Sequence, residues 1–200
     1  EPYFYQCVYS IHARHLLALG YLTPLRAGDI NATKYDTSGL KVQSNGQFSA
    51  ATISAAFEGW GRKTAAIVAD VVANTQEATG VMLFAATVKH AHEVMASLHP
   101  DNARLVTGET PKAERAKIIA DFNAGRFLYL VNVGVLTTGF DSPRVSHIAI
   151  LRATESVSLL QQIMGRGAKQ MMPLLLEGSE GMRKLAKRAE ELGLVISDDV

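Results

Sequence analysis

The residues of this 200-residue chain whose types and spacing could do chemistry stand at the ends of short apolar runs. Ala85-Ala86-Thr87 follows one run, Thr107-Gly108-Glu109 a second, and Gly134-Val135-Leu136-Thr137-Thr138-Gly139-Phe140-Asp141 a third. Hydroxyls and bare backbone in that pattern make a row of hydrogen-bonding groups with little bulk, which suits a phosphate backbone lying across a sheet edge. Each of Thr87, Thr107 and Thr110 has a second reading as a helix cap or turn residue, because serine and threonine are common caps.

Other constellations narrow the chemistry. Residues 134–141 hold two glycines four residues apart, as a phosphate-cradling P-loop does, but Phe140 and Asp141 stand where that loop needs Lys and then Ser or Thr. Gly61-Arg62-Lys63-Thr64 is not preceded by an apolar strand, and no acidic pair ends an apolar strand where it would hold magnesium. These residues alone therefore lack the means to bind and split a nucleoside triphosphate. Gln162-Ile163-Met164-Gly165-Arg166-Gly167-Ala168-Lys169 ends a helical pattern with an arginine that could neutralise a phosphoryl group held elsewhere. The same Arg166 and Gly167 also read as a helix C-terminus with a cation and a glycine stop. His12 with His15, and His90 with His92, lack further ligands at useful spacing, so no metal site is expected. Trp60 and Tyr35 could stack on bases or serve as local cover, and the charged stretch 183–191 reads as a solvated face.

The elements that must position these groups follow from periodicity. Apolar residues at three- and four-residue steps predict a helix over 3–20, closed by Gly20. Residues 22–47 read as loops with one or two short edge strands, 30–35 among them. Ser49 is expected to cap a short helix ending at Phe57, and 62–75 a longer one. Beyond Gly80, strands at 81–85, 104–106, 127–133 and 145–151 alternate with helices at 88–98, 111–124 and 156–164, the pattern of βαβ units around a parallel sheet. A short strand at 173–176 and a charged helix at 179–192 complete the reading.

Composition bounds the result. Twenty Lys plus Arg against nineteen Asp plus Glu leave a net charge of +1, so any contact with a polyanion must be local. One cysteine, Cys7, fits a reducing cytosol, and no apolar run reaches the ~18 to 20 residues that spanning a bilayer needs. The expectation is a cytoplasmic protein with no membrane partner.

Phe84-Ala85-Ala86-Thr87, Thr107-Gly108-Glu109 with Arg115, Leu136-Thr137-Thr138-Gly139-Phe140-Asp141-Ser142-Pro143, and Gln162-Ile163-Met164-Gly165-Arg166 resemble, in order, motifs IV, IVa, V and VI of superfamily-two DEAD/DEAH-box helicases. Residues 130–167 are most similar to bacterial RadD-type DNA-repair helicases. The resemblance implies an α/β fold with a RecA-like parallel sheet flanked by helices, the second motor domain of a helicase. It implies three segments: an N-terminal helical and loop extension over 1–79, the RecA-like domain over 80–170 and a C-terminal helical tail over 171–200. By the same resemblance Thr87, Thr107, Gly108 and Thr138 match positions that touch the nucleic-acid backbone. Gly139 and Asp141 match positions facing the nucleotide, and Gln162 and Arg166 match motif VI, with Arg166 as an arginine finger. Lys169 stands where the family usually has a second arginine, keeping the charge without the bidentate geometry.

The implied function is the C-terminal motor half of an ATP-dependent DNA helicase or translocase. ATP with Mg²⁺ would be bound mainly by an N-terminal RecA-like domain outside these residues, DNA would be held by its backbone, and this fragment alone would be inactive. A non-catalytic adaptor that keeps the RecA-like fold to bind nucleic acid or protein is the alternative, and a small-molecule phosphate enzyme a third.

Overall fold

In a computed structural model of the chain, the residues described are 12–19, 34–136, 140, 142–153, 159 and 163. The chain divides into two units, one of Glu1–Leu25 with Ala168–Val200 and one of Arg26–Gly167. In the first, the described element is a short helix, α1 (Ala13–Ala18), which begins after an extended His12 and is closed at Leu19, one residue before the expected Gly20; residues 3–11 and 20 of the predicted helix 3–20 lie outside the described ones.

The second unit opens with α2 (Ala50–Phe57) and α3 (Gly61–Asn74), followed by β1 (Val81–Ala85), α4 (Val88–Ala96), β2 (Ala103–Val106), α5 (Lys112–Asn123), β3 (Tyr129–Asn132) and β4 (His147–Leu151). The four strands form one parallel sheet in the order β2-β3-β1-β4. The path from β1 to β2 and the return from β2 to β3 run in opposite directions across the sheet. Right-handed crossovers then send α4 and α5 to opposite faces. Burial agrees: Val81, Leu83 and Ala85 of β1 pack with Val68 of α3 and Ala91 and Val94 of α4, whereas Met82 and Phe84 pack with Phe122 of α5 and with Leu136, Phe140, Val145 and Ile163. All five β1 residues are buried, which is why the run reads apolar at every position rather than at alternate ones.

Predicted and observed elements agree closely in this part of the chain. Thr87 caps α4, its hydroxyl accepting from His90 N–H at 3.1 Å. At the end of α5, Gly125 takes φ +75°, with Gly125 N–H bonded to Phe122 O and Arg126 N–H to Asp121 O, both at 3.0 Å. That is the paired closure glycine favours at a helix end. Leu159 and Ile163, described within the predicted helix 156–164, are both helical and pack four residues apart against the Phe122 side of the sheet. The predicted elements at 173–176 and 179–192 lie outside the described residues.

Three local expectations differ. Ser49 precedes α2 but makes no side-chain cap; its carbonyl instead accepts from the Thr52 hydroxyl at 2.9 Å. Thr110 does not cap α5, because its hydroxyl accepts from Thr107 N–H at 2.9 Å and braces the loop before the helix. Of the expected edge strand at 30–35, residues 30–33 lie outside the described ones; the described residues 34–47 hold no strand, only a single antiparallel bridge from Val42 to Phe48 around Gly46. No described helix is long and apolar enough to cross a membrane.

The first residues of β1 and β4 are clasped together. Thr79 Oγ1 donates to Arg144 O at 2.8 Å, Arg144 Nη2 donates back to Thr79 O, and Ser146 N–H donates to Gly80 O at 2.9 Å. A Cβ on Gly80 would lie 2.8 Å from both Arg144 O and the Phe122 ring. Backbone and a fully buried ring have little room to yield. Gly80→Ala is therefore expected to destabilise the domain by about 1–3 kcal/mol, seen as a lower urea midpoint at unchanged slope; an unaltered midpoint would show that the clasp is loose.

Candidate nucleic-acid and nucleotide edge

Parallel register brings the carboxyl ends of the strands level. Phe84 of β1 and Val106 of β2 both lie opposite Asn132 of β3, and Ala85 lies opposite Leu151 of β4. The loops at 86–87, 107–110 and 133–136 therefore leave from one edge. From β1 the chain departs toward β2 and from β3 toward β4, so these neighbouring strands send their connections to opposite faces of the sheet. A crevice opens at such a switch point, here between β1 and β3.

Asn132 sits at that point and was not singled out by sequence reasoning. It is fully buried; its Nδ2 donates to Leu83 O at 3.1 Å across the two strands, and its Oδ1 has no partner. The signal was present, since an asparagine closes the otherwise apolar run Tyr129-Leu130-Val131. The loop beyond it passes through Leu136 at φ +62°, a left-handed backbone that costs a leucine on the order of 1 kcal/mol. Burial of the Leu136 side chain beside Phe140 holds the turn in place. Ser142 Oγ, where the described chain resumes, is also buried without a partner. Thr138, Gly139 and Asp141 within this loop, and Gln162, Arg166 and Lys169 beyond it, lie outside the described residues.

Thr107 and Gly108 occupy a braced loop. Thr107 is buried, and its hydroxyl accepts from Glu109 N–H at 3.2 Å. Arg115 reaches back from α5 with Nη2 toward Thr107 O at 3.3 Å and Thr110 O at 3.1 Å, tying the loop to the helix. Gly108 is exposed, with open space around its Cα, so its backbone is free to be approached closely.

Thr87 is more heavily committed. Besides capping α4, its hydroxyl donates to Glu58 Oε1 at 2.7 Å, and Glu58 also accepts from the Ser54 hydroxyl and pairs with Lys89 at 3.5 Å. The Thr87 hydrogen bond is the main reason the Glu58 carboxyl lies below its usual range. Sequence reasoning missed Glu58, whose nearest chemistry in the chain is 29 residues away.

Behind Thr87 lies a buried polar chain. Ala86 N–H donates to His90 Nδ1 at 3.2 Å, which leaves the imidazole proton on Nε2, 2.8 Å from the Tyr35 hydroxyl. Tyr35 donates to Thr64 at 3.1 Å, and Glu93 binds Gly59 N–H at 2.6 Å. Phe57 packs on both the Tyr35 and His90 rings. Residue 35, α2, α3 and α4 are thus joined behind the end of β1. This network assigns His90 and Tyr35 to structure; His12 and His15 meet edge to face at 6.3 Å, and the described residues contain no cluster of metal-ligating groups.

Burial pushes the His90 imidazole below its ordinary value, against the opposing pull of Glu93 and Glu58. The unfolded chain accepts a proton there near pH 6.5 and the folded chain does so only at lower pH. The unfolded state therefore holds more protons below that value, so this contribution to stability is complete above about pH 6.5 and declines as pH falls through it. Urea midpoints measured from pH 7.5 to 5 should drop, and His90→Gln should flatten that slope; a flat wild-type profile would contradict a neutral, buried His90.

The profile of the helicase conserved C-terminal domain matches residues 63–170, more than half of the chain. The protein IRC3 of Saccharomyces cerevisiae, named as an ATP-dependent helicase, is 41 % identical over 68 residues, which are 34 % of this chain and 10 % of that protein. The UvrABC system protein B of Colwellia psychrerythraea is 37 % identical over 78 residues, 36 % of this chain and 12 % of that protein. The chain thus spans about a tenth of the length of each of these relatives. A solved structure of the E. coli DEAD-box protein SrmB, bound to regulator of ribonuclease activity A, aligns with a TM-score of 0.47 at 24 % identity over 55 % of this chain and 65 % of that one. With its flanked parallel sheet and this profile match, the chain belongs to the helicase conserved C-terminal domain family, the second RecA-like domain of superfamily-two helicases.

Proposed function

We propose that this chain is the second motor half of an ATP-dependent DNA helicase or translocase, working in the cytoplasm with a first RecA-like domain of the same protein. The observation that carries the reading is the family match over a sheet whose motif-bearing loops leave from one edge. In this reading Thr87, Thr107, Gly108 and Thr138 meet the nucleic-acid backbone, through hydroxyls and backbone amides rather than an excess of cations. Gly139, Asp141 and Arg166 are this chain's share of the nucleotide site, with Gln162 and Lys169 beside the arginine. The unpartnered Asn132 Oδ1 and Ser142 Oγ and the left-handed Leu136 fit a loop shaped to engage a polar group rather than to pack. ATP with Mg²⁺ bound between the two domains would supply the phosphoryl group to be transferred, and closure of the domains on it precedes that transfer. Arg166, brought up by closure, neutralises charge on the transferring group, an effect worth roughly 10³–10⁵ in turnover where arginine fingers have been removed.

Committed hydroxyls sharpen the mechanism. A hydroxyl has one proton, and Thr87 gives it to Glu58 at 2.7 Å. A phosphate, which can only accept, receives the Thr87 hydrogen bond when Glu58 releases it, so the carboxylate competes with the strand for the same donor.

In the full-length protein, Arg166→Ala should abolish DNA-stimulated ATP hydrolysis while leaving the thermal midpoint and DNA affinity in place; unchanged turnover would remove the arginine-finger role. Glu58→Ala should strengthen oligonucleotide binding several-fold in anisotropy titrations, and the gain should disappear in a Thr87→Val background. A gain that persists there would mean that Glu58 acts only as a general negative charge.

A further inference from the structure

We propose that Trp60 is a stacking platform for a base of single-stranded nucleic acid, set beside the Thr87 end of the sheet; the proposal rests on the nucleic-acid reading above. Every other described tryptophan, tyrosine or phenylalanine is buried or half-buried, and Trp60 alone among them is exposed, at 48 %. A lone exposed aromatic is ordinary, but this one is held and presented. Its indole Nε1–H donates to Ala55 O at 3.0 Å, which pins the ring to the last turn of α2. Glycines flank it on both sides: Gly59 turns the chain at φ +76°, and neither Gly59 nor Gly61 has any atom within 4 Å of where a Cβ would be.

The corner that carries it is tied to the candidate edge. Gly59 N–H is bound by Glu93 at 2.6 Å, and Glu58, two residues before Trp60, holds Thr87 at 2.7 Å. Two residues span at most roughly 7 Å of chain, so the Trp60 backbone stands close to the Glu58 that holds Thr87. The surrounding charge fits a polyanion. Lys63 Nζ lies 5.3 Å from the ring centroid and Arg62 is exposed beside it. Lys89 answers Glu58. With Lys63 over one face of the ring and Arg62 exposed next to it, a base stacked on the indole's other face would have its phosphates beside lysine and arginine, a contact that tolerates any sequence because every base has a π-face. Tyr35, the other aromatic with a stacking reading in the sequence, is excluded by its place under Phe57 and His90.

Trp60 is the only tryptophan in the chain, so its emission reports on one site. Oligothymidylate is titrated into the 200-residue chain at low salt while tryptophan emission and the anisotropy of a fluorescein-labelled oligothymidylate are followed. The two signals should saturate together, with emission quenched. Trp60→Ala should weaken binding roughly 5- to 150-fold, and Trp60→Phe should retain most of the affinity, both with an unaltered thermal midpoint because the ring supports no core. Binding by anisotropy without quenching, or equal affinity in Trp60→Ala, overturns the platform, leaves the nucleic-acid reading standing and turns Trp60 toward a protein partner. No binding by anisotropy overturns both.

Discussion

The structure depends on β1, a strand hydrogen-bonded on both edges and buried on both faces. Being paired in parallel with β3 and β4, it has no solvent-facing side, so each of Val81, Met82, Leu83, Phe84 and Ala85 must be apolar. Its alternate residues divide the interior into two cores, one under α3 and α4 and one under α5 and the segments after β3. Its registers with both neighbours level the strand ends, and the divergence of connections beside it opens the crevice where the motif loops leave the sheet. The clasp between Thr79, Gly80, Arg144 and Ser146 secures the opposite end of the same strand.

At the candidate edge, polar groups are set by competition among neighbouring hydrogen bonds. A net charge of +1 over 200 residues supplies no excess of cations. What the edge offers instead is a small set of hydroxyls and amides, several already engaged: Thr87 by Glu58, Thr107 by Glu109, and the Thr107 and Thr110 carbonyls by Arg115. In the proposed motor such engagement is useful, because a strand held by exchangeable hydrogen bonds can be released in each cycle, whereas a large ionic contact would hold it. The buried chain from Ala86 through His90 to Tyr35 and Thr64 keeps this edge rigid behind the exchangeable groups.

Much of the fold was legible because local and tertiary preferences agree. The run 81–85, Thr87 as cap and the helix at 111–124 each follow from one rule acting over a few residues, and the structure bears each out. Where two rules competed locally, the reading was less secure. Ser49 and Thr110 both stand where a cap belongs, yet another bond takes the group in each case: the Thr52 N–H that a Ser49 cap would bind donates to the Ser49 carbonyl, and the Thr110 hydroxyl accepts from Thr107 N–H. The candidate site was legible only where its residues are close in sequence. Thr107, Gly108 and Thr110 form one local loop, whereas Glu58 meets Thr87 across 29 residues and Asn132 meets Leu83 across 49.

The sequence by itself determined the strands, the helices between them and the order of the motifs, because burial periodicity and capping are decided within a turn or two of chain. Tertiary structure alone decided which hydroxyls remain free, which histidine is buried and which aromatic is presented to solvent. Tyr35 and Trp60 are equivalent on the page, but one is packed between Phe57 and His90 and the other is carried out on a glycine-flanked corner. The physical reason is that hydrogen bonds and burial are shared between segments far apart in the chain, so the state of one group depends on partners that no local pattern names.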